Sequence, residues 1–160
     1  MGKVDITHVA VVATDLQASI DWYTNLFGAN NIEPTPSMKL SSGAAWFKIG
    51  RVGLHLAQWH ERSTVGVNHF GIGVTDPQLF HDIYRKAAEN GYFDSRLGSH
   101  IYEIPSGEVQ MFMLDPSGNI VEVDFPDASQ IDRSIITDLP RVVDVFQPQP
   151  ERAAEGKLFQ

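Results

Sequence analysis

The 160-residue sequence contains no cysteine, which excludes a disulfide framework, a zinc–thiolate site and a cysteine nucleophile. Basic residues are also few, because 12 Lys and Arg stand against 20 Asp and Glu, and the formal net charge is -8. Binding to a phosphate backbone needs clustered Lys and Arg, so no nucleic-acid partner is expected. No apolar run approaches the roughly 20 residues of a membrane helix, and no basic-then-apolar leader opens the chain. We therefore expect no membrane association and a cytoplasmic location.

An internal repeat is the strongest pattern in the sequence. A shift of 61 residues aligns six identities within a 16-residue window, from His8 on His69 to Tyr23 on Tyr84. Each copy has a strand of alternating character, a Thr-Asp pair typical of a helix start, and an amphipathic helix that ends at a glycine. Two tandem supersecondary units are predicted, because one such unit cannot bury its apolar face alone.

Further strands are predicted after each helix. Residues 29–43 are rich in Asn, Pro and Ser, and we expect an irregular link there, followed by strands over 45–49 and 52–57. In the second copy a longer loop or hairpin precedes strands over 109–114 and 120–125. The repeated order of strand, helix and strands predicts an α+β fold with mixed sheets. Residues 127–160 break the repeat and form a C-terminal extension, which lies across either the domain or a second subunit.

Histidine and glutamate side chains share one face of the predicted strands with small residues. His8 and His69 occupy the same place in the two copies, and Glu122 lies on the corresponding face of the last strand. A single strand histidine is usually structural, but the repeat relation favours metal ligands here. A buried glutamate also needs a cation or a strong hydrogen-bond partner. Two imidazoles and one carboxylate suit Fe(II), Mn(II), Ni(II), Co(II) or Zn(II).

With these residues the chain resembles the vicinal oxygen chelate superfamily, which includes glyoxalase I, methylmalonyl-CoA epimerase, fosfomycin-resistance proteins and extradiol ring-cleaving dioxygenases. The run Asp115-Pro116-Ser117-Gly118-Asn119 before Glu122 is part of that resemblance, which covers about residues 4–126. It implies a single domain over residues 1–126, with βαβββ modules at about 4–62 and 66–126 whose sheets close into a funnel around a metal. It also implies that His8, His69 and Glu122 bind this metal, and that the protein is a homodimer.

Position 55 separates the activities of the superfamily. Glyoxalase-like and epimerase-like members usually have a Glu or Gln ligand there, whereas type I extradiol dioxygenases have a histidine a short interval before the second metal histidine, as His55 precedes His69. The resemblance therefore implies Fe(II)-dependent cleavage of a catecholic substrate by O2, with His55 as acid/base and His100 as a further active-site histidine. Phe112 departs from the pattern, because these dioxygenases have a tyrosine there. Tyr102 is the candidate for supplying the missing hydroxyl.

Two alternatives remain open at this point. One is a metal-dependent isomerase or lyase of the glyoxalase or epimerase type, acting on a 2-oxo or hydroxy substrate with Ni(II), Co(II), Mn(II) or Zn(II). Phe112 favours this alternative, and His55 opposes it. The other is a metal-free protein that sequesters a planar drug, which the three retained ligand types oppose.

Two further polar residues carry expectations that the structure addresses. His81 lies on the second predicted helix and is expected at the surface or at a subunit interface. Asp124 follows Glu122 by one step on the same strand face, where it either orients a ligand histidine or lies at a solvated strand end.

Overall fold

The structure, a computed structural model, describes residues 7–28, 31–34, 44–62, 68–96 and 98–145. The chain forms two compact units, Met1–Gly66 with Asp115–Asn119, and Val67–Leu114 with Ile120–Gln160. Each unit contains one four-stranded mixed sheet. The predicted α+β fold with two related modules is thereby confirmed.

The first unit has the order strand, helix and strands. Its elements are β1 (His8–Ala13), α1 (Leu16–Phe27), β2 (Glu33–Pro34), β3 (Ala44–Ile49) and β4 (Val52–Gln58). The strand order is β1-β4-β3-β2, with β1 parallel to β4 and the other pairs antiparallel. The short strand β2 corrects the expectation of a wholly irregular link, because it pairs with β3. The rest of that link, 29–30 and 35–43, lies outside the described residues.

The second unit repeats this arrangement and adds the extension. Its elements are β5 (His69–Gly73), α2 (Pro77–Asn90), β6 (Ile101–Glu103), β7 (Val109–Leu114), β8 (Ile120–Phe125), a 3-10 helix (Ala128–Gln130) and α3 (Val142–Val145). The strand order is β5-β8-β7-β6, with β5 parallel to β8. No helix in the described part of the chain is long and apolar enough to cross a membrane.

The predicted capping residues define the ends of both long helices. The side chain of Asp15 accepts a hydrogen bond from Ala18 N, and that of Asp76 accepts one from Leu79 N, which satisfies one free donor at each helix start. The second helix ends at Gly91, whose φ of 68° lies in the left-handed region that glycine adopts without strain. The aligned residues Asp15 and Asp76 thus have the same structural role, because each caps the start of its helix.

The register of the sheets extends the repeat beyond the aligned window. Ala10 pairs with His55 across β1 and β4, and its repeat partner Gly71 pairs with Glu122 across β5 and β8. His55 and Glu122 therefore occupy equivalent positions. On the neighbouring strands, Trp46 pairs with His55 and Phe112 pairs with Glu122. Trp46 and Phe112 are equivalent in the same way.

One face of each sheet packs against its helix. Tyr23 of α1 lies 6.5 Å from Phe47 of β3, and Phe80 of α2 lies 5.0 Å from Phe125 of β8, measured between ring centroids. Side chains alternate along a strand, so His55 and Glu122 point to the other face. We call the face of each sheet that is turned away from its helix the site face.

The extension packs on the second unit. Ile136 is fully buried, the N–H of Glu103 donates to the carbonyl of Pro140, and the N–H of Asp132 donates to Nε2 of His81 at 2.9 Å. The expectation of a surface position for His81 is wrong, because the extension covers this residue and leaves it 5% exposed. Residues 146–160 lie outside the described part of the chain.

Candidate active site

The site face of the second unit brings His69 and Glu122 into contact. Nε2 of His69 lies 2.7 Å from Oε2 of Glu122, and the side chains are 35% and 5% exposed. Glu122 is next to β5 because Gly71 is its partner in the parallel register. Gly71 and Gly73 lie on the same side of β5 as His69 and have no side chains. A carboxylate and an imidazole thus meet where the neighbouring backbone takes little space.

The second oxygen of Glu122 is held by Gln110. Nε2 of Gln110 donates to Oε1 of Glu122 at 2.6 Å. Gln110 was not predicted from the sequence. The available signal was a polar residue between Val109 and Met111 on an otherwise apolar strand.

Asp124 extends this polar group further along β8. It is 6% exposed, and burial, together with its hydrogen bond to Glu122 and the charge of Glu122, raises the pKa of Asp124 to about 8. Its Oδ1 has no hydrogen-bond partner among the described residues. A Cβ at position 71 would lie 2.6 Å from its Oδ2. The solvated-end interpretation of Asp124 is therefore wrong, and Asp124 interacts with Glu122 and Gln110. That it orients a ligand histidine stays a prediction.

The site face of the first unit carries two histidines around one tryptophan. The ring of His55 stacks on Trp46 with centroids 4.2 Å apart and planes 4° apart, and His8 meets Trp46 edge-on at 5.2 Å. Nδ1 of His8 lies 3.1 Å from the hydroxyl of Thr7. Burial, and then the charge of His8, lower the pKa of His55 below 6.5. His55 is accordingly neutral at pH 7 and able to accept a proton.

His100 lies elsewhere in the second unit. Its ring stacks on Phe93 at 4.1 Å and lies 6.0 Å from Tyr84 of α2, the helix that covers the opposite face of the sheet. Its Nε2 is buried without a hydrogen-bond partner among the described residues, and burial lowers the pKa of His100. The structure does not bring His100 to His69 and Glu122.

Tyr102 lies on the site face but is separated from His69 by Phe112. The ring of Phe112 is 5.6 Å from that of His69 and 5.9 Å from that of Tyr102. Tyr102 is 2% exposed, its oxygen accepts a hydrogen bond from Ser99 N at 3.0 Å, and burial raises its pKa. Its role as a replacement hydroxyl stays a prediction.

The proposed ligands are divided between the units, since His8 belongs to the first and His69 and Glu122 to the second. Among residues 7–28, 31–34, 44–62, 68–96 and 98–145, no group of three or more His, Cys, Asp or Glu is placed to hold a metal ion. The three-ligand site therefore stays a prediction. The atoms that the structure does bring together, an imidazole nitrogen and a carboxylate oxygen, fit the donor preferences of a divalent transition metal.

A family model matches residues 5–123, and its description is the Glyoxalase/Bleomycin resistance protein/Dioxygenase superfamily. The chain belongs to this superfamily. The match confirms the resemblance to vicinal oxygen chelate proteins. No curated protein matches the sequence. Because one fold hosts unrelated chemistries, membership in the superfamily leaves the reaction open.

Several solved structures share the fold. A lactoylglutathione lyase from Agrobacterium tumefaciens is 23% identical, with a TM-score of 0.56 over 76% of this chain and 92% of that one. The oxidase ChaP-H2 is 19% identical, with a TM-score of 0.56 over 78% and 94%. A glyoxalase/dioxygenase from Nostoc punctiforme is 19% identical, with a TM-score of 0.56 over 76% and 90%. A lyase and an oxidase are thus equally similar to this chain in fold, and neither fixes its reaction.

Proposed function

We propose that the chain is a metal-dependent enzyme, and specifically an Fe(II)-dependent extradiol-type dioxygenase that cleaves a catecholic substrate with O2. The observation that carries the proposal is the contact of 2.7 Å between His69 and Glu122 on the site face of the second unit. A buried carboxylate beside an imidazole, with glycines opposite, is suited to share a cation with a bound small molecule.

The proposed ligands are His69 and Glu122, with His8 as the third. Three protein ligands of this kind leave coordination positions open for substrate oxygens, and Mn(II), Ni(II), Co(II) and Zn(II) suit the same donors. When bound, the ion supplies Lewis acidity toward adjacent substrate oxygens. The remaining tasks, which are binding, orientation and proton transfer, belong to the side chains.

His55 is the proposed acid/base. Its lowered pKa keeps the imidazole neutral at pH 7, the form that accepts a proton from a catechol hydroxyl. Stacking on Trp46 restricts the ring plane, so the nitrogens keep a fixed direction. A neutral base of this kind at position 55, where glyoxalase-like members have an acidic or amide ligand, is the reason for preferring dioxygenase chemistry.

The alternative is a metal-dependent isomerase or lyase of the glyoxalase or epimerase type. One feature favours it, because Phe112 brings no hydroxyl to the site face. A substrate oxygen would then lack the donor that ring-cleaving enzymes carry at that position.

Oxygen uptake after anaerobic loading with Fe(II) tests the proposal. We expect consumption of O2 and a yellow ring-opened product with at least one member of a catechol panel. Replacing Glu122 with Gln is expected to lower the rate by 100-fold or more, because it removes the anionic ligand (about 10²–10³ for comparable electrostatic losses). His60→Ala is the matched control, since His60 is exposed and contacts Glu61 and Trp59.

The outcome separates the three activities considered. No O2 uptake, combined with isomerisation of a 2-oxo thiohemiacetal by the Ni(II)- or Zn(II)-loaded protein, would replace the dioxygenase with the alternative. Tight binding of a planar drug that a chelator leaves unchanged would indicate a metal-free binding protein. As part of the same proposal we expect a cytoplasmic homodimer, which sedimentation of the purified protein would test for its oligomeric state.

A further inference from the structure

The two units differ in one respect that the repeat makes visible. In the second unit Gln110 pairs with Asp124 across β7 and β8, one step along the strands from Glu122. The equivalent pair in the first unit, across β3 and β4, is Ala44 with Ala57. Two alanines on the site face of one unit thus correspond to a polar pair on the other.

The difference between the two pairs matches a difference in the neighbouring residue on the site face, which is a histidine in one unit and a glutamate in the other. The residue on the site face beside Ala44 and Ala57 is His55. Its ring stacks on the indole of Trp46, with the two ring centroids 4.2 Å apart. Beside Gln110 and Asp124 the central residue is Glu122, and the amide of Gln110 donates to its Oε1 at 2.6 Å. The polar pair occurs where the carboxylate occurs, so it is suited to that carboxylate.

We propose that Gln110 is a positioning residue, which holds Oε1 of Glu122 so that Oε2 is the atom presented to His69 and to a divalent cation. This inference rests on the proposed function, since it assigns Glu122 to a metal. A glutamate side chain has three rotatable bonds, and a carboxylate with fewer hydrogen bonds samples more orientations. The hydrogen bond from Gln110 selects one orientation before the cation arrives. Residues that orient ligands in this way typically account for 10- to 100-fold in metal affinity.

Packing around Asp124 supports the same arrangement. The carboxyl group of Asp124 occupies the space that a side chain at position 71 would fill, because a Cβ there would lie 2.6 Å from Oδ2. Gly71 is also the register partner of Glu122. The absence of a side chain at position 71 therefore leaves room for the carboxyl group of Asp124 beside Glu122. This carboxyl group limits movement of the Glu122 side chain away from Gln110.

Replacing Gln110 with Met tests the role of the amide. Methionine has nearly the same length but no N–H donor, so the change removes the bond to Glu122 and little volume. Gln78→Met is the matched control, because Gln78 donates to Asp82 at 2.9 Å on an exposed surface of α2. Mn(II) binding to the metal-free chain is measured by titration calorimetry, and Mn(II) is chosen because it is stable in air. We expect the Kd of Gln110→Met to rise about 10- to 100-fold, with Gln78→Met within twofold of wild type.

A second measurement does not depend on metal. In a crystal structure of metal-free Gln110→Met, the Glu122 carboxylate is expected to rotate away from its wild-type orientation, with loss of the 2.7 Å contact to His69. Should the methionine variant fail to fold, Gln110→Leu provides the same test with an apolar side chain that has no hydrogen-bond donor.

The outcomes are distinguishable. Equal Mn(II) affinity in wild type and Gln110→Met would overturn the inference and leave the proposed function standing. An unchanged Glu122 orientation in the metal-free variant would overturn it as well. If the wild-type chain itself binds no Mn(II) or other divalent transition metal, the proposed function and the inference fail together.

Discussion

Replacing Asp115 with Ala tests whether the turn Asp115–Asn119 stabilises the first unit through buried hydrogen bonds. Asp115 is 2% exposed, and its carboxylate accepts four hydrogen bonds. Oδ1 accepts from the backbone N–H groups of Ser117 and Asn119, both at 2.9 Å. Oδ2 accepts from the hydroxyl of Tyr23 at 3.0 Å and from the side-chain amide of Asn119 at 2.7 Å. Alanine would leave all four donors without this acceptor.

The expected loss follows from these four bonds. A buried hydrogen bond contributes roughly 1 kcal/mol net, and somewhat more where the acceptor is charged, so four bonds correspond to about 4 kcal/mol or more. The cost of burying the carboxylate works in the opposite direction, because burial raises the pKa of Asp115 despite its hydrogen bonds. Removing that cost reduces the expected loss to about 3 kcal/mol. Tyr23→Phe, which removes a single bond, is expected to cost about 1 kcal/mol.

Equilibrium unfolding in urea measures both changes. Asp132→Ala is the control, because Asp132 also accepts hydrogen bonds, from the backbone N–H and the hydroxyl of Ser134, but is exposed. We expect its unfolding midpoint to stay near that of wild type. Asp115→Ala and Asp132→Ala could instead unfold at the same urea concentration with unchanged m values. The buried hydrogen bonds of the turn would then contribute no more to the free energy of unfolding than the exposed hydrogen bonds of Asp132, which would refute the reasoning.

Two other substitutions give sharp expectations. Gly71→Ala is expected to cost about 1–3 kcal/mol by overpacking against Asp124, and in an Asp124→Ala background this cost should vanish. A double-mutant cycle in urea measures it, and additive costs would contradict the steric explanation. Burial lowers the pKa of His100 in the folded state below 6.5. As the pH decreases, the unfolded state therefore takes up a proton at a higher pH than the folded state does. The free energy of unfolding should consequently fall below about pH 6.5. His100→Phe keeps the stack on Phe93 and should weaken that dependence. Equal pH slopes of the urea midpoint between about pH 8 and pH 5 in both proteins would refute this account.

The sequence predicted the parts of the fold that rest on short-range patterns. The Thr-Asp pairs became capped helix starts at Asp15 and Asp76, because capping depends on residues within one turn. The shared strand position of His8 and His69 followed from the 61-residue shift, and the alternation of β8 placed Glu122 on the face opposite Val121 and Val123. A period of two along a strand is sufficient to assign a face.

Features that depend on distant segments were missed or misplaced. His81 was expected at the surface or at a subunit interface, but the extension covers it and donates a hydrogen bond to it from Asp132 N. No local pattern indicates where an extension will pack. Asp124 was left between two interpretations because its surroundings include Gly71, a residue on a strand that is distant in the sequence. Gln110 was overlooked for the same reason, since its bond to Glu122 exists only in the paired register of β7 and β8.

The turn between β7 and β8 belongs to the first unit, although Asp115 follows Gln58, the end of that unit's last strand, by 57 residues. A polypeptide fragment of residues 1–66 would therefore lack Ser117 as a partner for Thr14, and Asn119 as a donor to the carbonyl of Val12. One cut between the repeats cannot yield two self-sufficient halves. In an exchange of modules between related proteins, residues 115–119 would have to be transferred together with the N-terminal half, because they are hydrogen-bonded to it.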